Sequence, residues 1–375
     1  MSQIDTLIIF REKRPMGSLG LSENVQIGER RFYVQSLFQP EGKKIISQIF
    51  ENGSLLDTRE QSIDASVEET EYRTLLEQFH RQVVTELDLL FYIHKKVKKA
   101  LHAPSSNKLG LIFLKKNLVP EAIDSFLDAI AIDDKFIDAY KNLGIAYLRA
   151  GWQDDAVQIL TKAVQLAPEF PDLHNYLGLA YLRSGNYAEA IHEVEEAICI
   201  NENYSEAHFT LGLIYLTSIV KAPQEDSLLP VSVREKKALF HLRKSIDLNP
   251  HLESSDYRQA LKEFQNSNFS QSLDLLNRCH QTGIEFESLY EHEFYLNFMF
   301  GGKSKDERSI NDYIYKLQEQ MKKYSNYPDL HNHLGVAYLI QCRNLFLKAL
   351  QEFRQAWKIN HRYKQAQKNL KLAEN

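Results

Sequence analysis

Few residues of this sequence combine the side-chain types and the spacing that catalysis or metal binding requires. There is no phosphate-binding GxxxxGK[ST] or GxGxxG loop, no HExxH and no GxSxG. The string EHE at 291–293 offers ligand-type side chains, but consecutive residues point to different sides of a helix. The three cysteines, Cys199, Cys279 and Cys342, form no CxxC, so neither a zinc site nor a disulfide framework is indicated. We therefore predict no catalytic residue, no metal and no cofactor.

The charge balance and the apolar runs exclude two further classes of function. The 375 residues include 50 acidic and 45 basic side chains, a net charge of −5, which lacks the basic excess typical of nucleic-acid binding. No stretch approaches the roughly 18 consecutive apolar residues of a membrane span. Near the N-terminus, Asp5 precedes an apolar run of only four residues, too short for a signal peptide. The sequence thus predicts a cytoplasmic protein without nucleic-acid binding or membrane insertion.

A repeated string points to the elements that organise the chain. PDLHNYLGLAYL at 171–182 returns as PDLHNHLGVAYL at 328–339. Glycines preceded by leucine recur every 34 residues, each followed three residues later by an aromatic residue. Each of the first three glycines is followed by two alanines, one twelve residues later and one nineteen residues later. The glycines are Gly110, Gly144, Gly178 and Gly212, and the alanines are Ala122, Ala156, Ala190, Ala129, Ala163 and Ala197.

This pattern resembles the tetratricopeptide repeat, in which each unit is a pair of antiparallel helices. The resemblance implies a mainly α protein, a right-handed helical solenoid, with four units in residues 103–252. The fourth unit carries an insertion at about 217–237, which we expect to form an exposed loop between its two helices. Residues 253–327 are predicted to form degenerate helical repeats, and residues 328–375 a final unit with a capping helix.

The N-terminal part has a different pattern. In residues 1–66, short β-branched and aromatic runs alternate with turn sequences such as ENG, which predicts a small antiparallel meander, with TLIIF as a further strand. Residues 67–102 show helical periodicity and predict one long helix covering the sheet, so that the domain is α+β. Residues 33–36, 46–50 and 78–80 resemble a small uncharacterised bacterial domain, which implies a bacterial source and no particular chemistry.

The tetratricopeptide resemblance also implies a binding surface. In that family the first helix of each pair lines a concave groove that binds a peptide or helix of a partner. We expect the corresponding side chains to be exposed and to offer amide, cationic and apolar contacts. They are Lys141, Asn142, Ile145, Arg149, Asn175, Tyr176, Leu179, Arg183, Phe209 and Leu213.

The resulting hypothesis is a non-enzymatic scaffold or adaptor whose partner is a protein or peptide. Two alternatives remain open at this stage. One is an enzyme with its active site in the N-terminal domain and repeats that recruit the substrate. The other is self-association through the repeats.

Overall fold

The computed structural model describes residues 20–64, 67–281, 289–301, 307–323, 328–359 and 364–374. The chain divides into two compact units, Met1–Glu287 and Ser288–Asn375. The predicted strand TLIIF lies outside the described residues.

A four-stranded antiparallel sheet opens the first unit. Its strands pair in the order β1-β2-β3-β4. Alternate residues of β2 and β3 are buried, as expected for a sheet covered on one face. The turn between β3 and β4 is Asn52-Gly53, both with positive φ, which is the conformation that a two-residue hairpin needs. The strands are β1 (Gly20–Ile27), β2 (Arg30–Gln39), β3 (Lys44–Glu51) and β4 (Ser54–Ser62).

A 29-residue helix, α1 (Tyr72–Ala100), covers the buried face of the sheet. Its buried residues recur every three or four positions from Leu76 to Val97, which is the predicted apolar stripe. Leu101, the residue after α1, has a positive φ and is exposed, so the buried stripe ends at Val97. Arg30 of β2 pairs with Glu51 on β3 and with Glu121 beyond α1, which ties the sheet to the helices that follow.

Eight helices then form four antiparallel pairs. In each pair a glycine of the first helix lies directly against a side chain of the second. A methyl group on Gly178, for example, would lie 2.3 Å from the Val194 side chain. The pairs are α2 (Ala103–Lys115) with α3 (Val119–Ile132), α4 (Ile137–Ala150) with α5 (Gln153–Leu166), α6 (Pro171–Ser184) with α7 (Tyr187–Ile200), and α8 (Ser205–Lys221) with α9 (Val231–Leu248).

Residues with positive φ end the first helix of the first three pairs. They are Asn117, Gly151 and Gly185, each the fifteenth residue of its repeat. A left-handed residue after the last helical turn is a common way to stop a helix, and Gly or Asn adopts it at least cost. The fourth repeat has Ile219 at this position, and its first helix continues to Lys221.

The insertion at 217–237 is therefore not a single exposed loop, and the expectation was wrong in this respect. Its two ends lengthen α8 and α9, so that only residues 222–230 lie outside the helices. Ile219 is buried because it continues the apolar face of α8, and Arg234 is buried because its guanidinium folds under the loop. This guanidinium donates hydrogen bonds to the carbonyl oxygens of Ala222 (3.2 Å) and Pro223 (2.8 Å).

Another helical pair completes the first unit: α10 (Ser255–Gln265) and α11 (Phe269–Gln281). The Ser254 hydroxyl caps α10 by accepting a hydrogen bond from the backbone N–H of Tyr257 at 3.1 Å. Ala260 and Leu276 are fully buried between these helices and their neighbours.

The second unit contains four described helices: α12 (Leu289–Phe300), α13 (Glu307–Lys323), α14 (Pro328–Ile359) and α15 (Lys364–Glu374). The sequence predicts a complete repeat from residue 328, but the structure differs. Residues 328–359 form one continuous helix of 32 residues instead of a helical pair.

Candidate partner-binding groove

The first helices of the four repeats form one continuous surface. Helix α2 contacts α4, α4 contacts α6, and α6 contacts α8. In the sequence, the second helix of a repeat lies between the two members of each of these contacts. A surface built in this way carries one row of side chains from every repeat. The ten residues predicted to bind a partner all lie on α4, α6 and α8.

The structure buries six of these ten residues, so the expectation that all would be exposed was wrong. The physical reason is that neighbouring first helices pack directly against one another and close over the side chains between them. Phe209 also packs against the ring of Tyr257 on α10, with ring centroids 5.7 Å apart. The six residues are Asn142, Ile145, Asn175, Leu179, Phe209 and Leu213.

Asn142 is joined to the preceding repeat and is not a free amide. Its Nδ2 donates a hydrogen bond to Oδ1 of Asn107 at 2.9 Å, and both side chains are buried. In the last turn of α4, the exposed Arg149 donates a hydrogen bond to the backbone oxygen of Leu114 at 2.9 Å. These two bonds fix the spacing of α2 and α4.

Lys141 joins the second and third repeats. Its ammonium lies 3.0 Å from a carboxylate oxygen of Asp172 and 3.3 Å from one of Asp138. Burial lowers the pKa of Lys141, but the hydrogen bond and the charge of Asp172 outweigh it and leave this pKa raised. The lysine therefore stays protonated and neutralises part of the acidic charge at the start of α4 and α6.

A buried amide and two tyrosines lie between α6 and α8. Asn175 Oδ1 has no hydrogen-bond partner among the described residues, although the side chain is buried. Burial raises the pKa of Tyr176 and of Tyr204, so both phenols remain neutral hydrogen-bonding groups. Tyr176 is half-buried and Arg183 is exposed at the end of the same helix.

The histidines at the fourth position of the third and fourth repeats, His174 and His208, have internal partners. His174 lies 2.8 Å from Glu193 Oε2 through Nδ1 and 3.0 Å from the Pro168 carbonyl oxygen through Nε2. The corresponding His208 stacks on His241, with their Nδ1 atoms 2.9 Å apart.

The sheet domain contains a serine–histidine–carboxylate chain that sequence reasoning missed. The Ser36 hydroxyl lies 2.8 Å from His80 Nδ1 and 2.8 Å from the Ser47 hydroxyl, and His80 Nε2 lies 3.5 Å from Glu23. Burial lowers the pKa of His80, which favours the neutral imidazole. With the ring proton on Nε2, which faces Glu23, the Nδ1 atom accepts a hydrogen bond from the Ser36 hydroxyl, and the Ser36 oxygen is then left to accept from Ser47. These residues are 11 and 44 positions apart, so only the folded chain brings them together.

The hydrogen-bonded residues Ser36, His80 and Glu23 are of the types found in a nucleophile with its base. The hydroxyl and the imidazole are buried, so no substrate can reach them. Ser36 and Ser47 have 0% of their surface exposed and His80 has 5%. The three groups satisfy one another's hydrogen bonds, as buried polar groups in a core generally do.

The described residues offer neither a metal-binding cluster nor a helix that could span a membrane. In the described ranges, no three His, Cys, Asp or Glu side chains are grouped so that they could hold a metal ion. No described helix is both long enough and apolar enough to cross a membrane.

Comparison with known proteins identifies the repeats. Residues 141–208 match the family model of the tetratricopeptide repeat. The family resemblance of the sequence is thereby confirmed, and the fold is the predicted helical-repeat array preceded by an antiparallel sheet. No curated protein matches the chain.

Several solved structures are similar to this chain. One is a crystal structure of MamA, with 25% identity over 44% of this chain and 92% of that chain, at a TM-score of 0.37. Another is YrrB, described as a tetratricopeptide repeat protein with an unusual peptide-binding site, with 18% identity over 52% of this chain and 93% of that one (TM-score 0.34). A repeat protein from Parabacteroides merdae is 18% identical over 73% of this chain and 99% of its own (TM-score 0.35).

Proposed function

We propose that this protein is a non-enzymatic interaction scaffold and that the row of first helices α2, α4, α6 and α8 binds a peptide or helix of a partner protein. The observation that carries the proposal is the direct contact between these helices, which makes one surface from four repeats. Lys141, Arg149, Tyr176 and Arg183 remain partly or fully accessible on it.

The burial pattern supports two different roles for the ten predicted residues. The six buried ones would form the floor of the groove and hold the helices in register, while the four accessible ones would contact the partner. Asn175 supports a binding role at the floor between α6 and α8. A buried acceptor without a partner costs free energy, so a hydrogen-bond donor from a bound segment would stabilise Asn175 Oδ1.

The charges of the row suggest the chemistry of the bound segment. Asp138, Asp172 and Glu206 lie in the first turns of α4, α6 and α8, whereas Arg149 and Arg183 lie in the last turns of α4 and α6. This order also complements the helix dipoles. A segment lying across the row would meet carboxylates on one side and guanidinium groups on the other, which favours a partner segment with charges of both signs.

The experiment places a photo-crosslinking amino acid at Tyr176 in the full chain, with the same residue at the exposed Leu127 of α3 as the control. A partner captured at 176 and not at 127 is then titrated against Tyr176→Ala with Arg183→Ala. Contacts of this kind are worth about 1–3 kcal/mol each, so we expect the two substitutions together to lower affinity by roughly 30-fold to 10⁴-fold.

The matched control is Arg243→Ala, which removes an exposed guanidinium from α9, a second helix. It should leave affinity and melting unchanged. Unchanged affinity of the double variant, in a protein that melts like the parent, would contradict the groove assignment.

The enzyme alternative has one specific observation in its favour, the Ser36–His80 contact. Because both residues are buried, the contact supports a structural role in the sheet domain more than a catalytic one. Turnover of an ester substrate that is lost in Ser36→Ala, but kept in the exposed Arg31→Ala, would favour the enzyme instead.

A further inference from the structure

Helix α14 contains the sequence pattern of both helices of a repeat, but it lacks the turn that separates the two helices. Its first half has the leucine-glycine pair Leu334-Gly335 with Tyr338, and its second half has Ala349, Phe353 and Ala356. Ala349 and Ala356 are seven residues apart, as are Ala122 and Ala129 in the first repeat. In the other repeats these two sets lie on separate helices that pack together.

The missing turn coincides with a different residue type at the fifteenth position. The fifteenth residue of the first three repeats, Asn117, Gly151 or Gly185, adopts a positive φ and ends the helix. Cys342 holds that position in the last repeat. Outside Gly, Asn and Asp, a left-handed residue costs roughly 1–2 kcal/mol. Ser267 adopts this conformation after α10 (φ 61°), whereas at Cys342 the helix continues.

One straight helix cannot pair its own two halves. Gly335 and Phe353 are eighteen residues apart, which is about 27 Å along a helix. In the four complete repeats the glycine is buried and the residue facing it, such as Phe126 or Leu160, is fully buried. Gly335 is instead exposed, with no described residue within 4 Å of a methyl group placed on it, and Phe353 is only half-buried.

The repeat residues of the two halves share one face of α14. Eighteen residues make five helical turns, so Gly335 and Phe353 point to the same side. Tyr338 is 44% exposed on this face and Phe346 48%. Helix α13 packs around Ala337, and its Gln318 donates a hydrogen bond to the Tyr338 hydroxyl at 3.1 Å, at the edge of this face; α15 also contacts α14. We name this face the α14 stripe: Gly335, Tyr338, Cys342, Phe346, Ala349 and Phe353.

We propose that the α14 stripe pairs with the α14 stripe of a second copy of this chain, in antiparallel orientation about a twofold axis near residue 344. Gly335 of each copy then meets Phe353 of the other, Tyr338 meets Ala349, and Cys342 meets Phe346. In this dimer, the first half of each α14 packs against the second half of the α14 of the other copy. That second half takes the place of the second helix of the repeat. Two complete repeats result from two incomplete ones.

We choose a second copy as the binding partner because the two halves of the stripe carry the residues that face each other within a complete repeat. The glycine of one half matches the large side chain of the other, as Gly110 matches Phe126 within the first repeat. The matched positions are symmetric about residue 344, which a twofold axis requires. Exchange of an identical element between protomers is a low-cost route to such a dimer. The proposal does not depend on partner binding in the groove.

The test is the mass of the full chain in solution, measured by light scattering over a concentration series. We expect a dimer, twice 43.6 kDa. In Cys342→Gly, glycine at the fifteenth position restores the turn and weakens the continuous helix in both copies, so the dimer dissociation constant should rise on the order of 10²–10³-fold. Cys342→Ala removes the same thiol, favours the helix and should remain dimeric.

A second pair of variants keeps the test decisive if Cys342→Gly fails to fold. Phe346→Glu places a carboxylate in the centre of the α14 stripe, near the twofold axis, and should produce a helical monomer. Gln351→Glu adds the same charge to an exposed position outside the stripe and should remain dimeric. A parent that is monomeric at every concentration would overturn the proposal. A dimer that persists in Cys342→Gly and in Phe346→Glu would also overturn it, because the contact would then lie elsewhere.

Discussion

At the scale of single residues, the glycine at the eighth position of a repeat sets how closely its two helices approach. A methyl group on Gly178 would meet Val194 Cγ2 at 2.3 Å and the Ala190 carbonyl oxygen at 3.0 Å. The side chain and the backbone of α7 together leave no room for a larger residue. The glycine column is therefore a packing requirement and not a consequence of backbone flexibility.

The first prediction follows from this contact. Gly178→Leu should lower the free energy of unfolding by at least about 1–3 kcal/mol, because it overpacks the interior of the third repeat. His192→Leu adds the same side chain at an exposed position of α7 and should change it by no more than about 0.5 kcal/mol. Urea denaturation measures both. A Gly178→Leu protein as stable as the parent would show that this contact can open at little cost.

The second prediction concerns His241, whose pKa is lowered to about 4. The causes are burial first, then the neighbouring His208 and Lys237, while Glu195 acts in the opposite direction. In the unfolded chain the histidine takes up a proton near its ordinary pKa of about 6.5, so the unfolded state binds more protons between the two values. The stabilisation that the neutral His241 contributes is fully present above the unfolded-state pKa of about 6.5, and it is lost as the pH falls from there toward about 4.

His241→Gln keeps a hydrogen-bonding group beside His208 but removes the titration. The parent should lose more free energy of unfolding than the variant when the pH is lowered from about 7.5 to about 5. Denaturation of both proteins at the two pH values measures the difference. Equal losses would mean that His241 is no harder to protonate in the folded state.

At the scale of elements, the ends of the helices explain the departures from a regular array. Where the fifteenth residue is Asn or Gly, the first helix stops and a pair forms. Where it is Ile219, the helix continues to Lys221, and where it is Cys342 the two halves of the repeat become one helix. Gly or Asn at this position thus ends the first helix, but the chain also folds back without either residue: after α8 in the fourth repeat, and at Ser267 (φ 61°) between α10 and α11.

The third prediction tests the anchor of the insertion in the fourth repeat. Arg234 is 1% exposed and donates to the carbonyl oxygens of Ala222 and Pro223. Arg234→Met should leave these acceptors without their donor, at a cost of about 1–3 kcal/mol in stability. It should also increase amide hydrogen exchange in residues 222–230. Lys236→Met, at an exposed position of the same helix, is the control and should leave both quantities unchanged.

At the scale of the whole molecule, the chain consists of two compact units, and the proposed groove lies within the first. The sheet domain belongs to that unit because ion pairs join it to the first repeat. Lys116 lies 3.6 Å from Asp57 of β4, and Arg30 pairs with Glu121. We infer that the sheet domain caps the exposed end of the repeat array, as terminal units of such arrays must.

The fourth prediction is that residues 1–287 fold without the second unit. This fragment should unfold cooperatively and retain the partner affinity of the full chain. It should also be monomeric, because it lacks α14. Circular dichroism, binding titration and light scattering measure these three properties. A fragment that is unfolded would mean that the second unit contributes to the stability of the first, and a dimeric fragment would place a self-association surface within the first unit.

The sequence by itself determined the repeat architecture and the sheet that precedes it. Both rest on local periodicity: glycines and alanines at fixed intervals for the helical pairs, alternation of apolar residues with an Asn-Gly turn for the hairpins. Side chains separated by a few residues carry this information, and it survives without knowledge of the fold. The positions of Gly110, Gly144, Gly178 and Gly212 at close helix contacts could be predicted in the same way.

The tertiary structure alone decided which of the candidate residues are accessible. Asn142 and Phe209 occupy positions that a single repeat would expose, yet Asn107 of the preceding repeat and Tyr257 of α10 cover them. The Ser36–His80 contact and the continuous helix α14 likewise escaped prediction. Burial and pairing depend on residues far away in the sequence, whose approach is set by the packing of whole helices, and a periodic pattern contains no information about that packing.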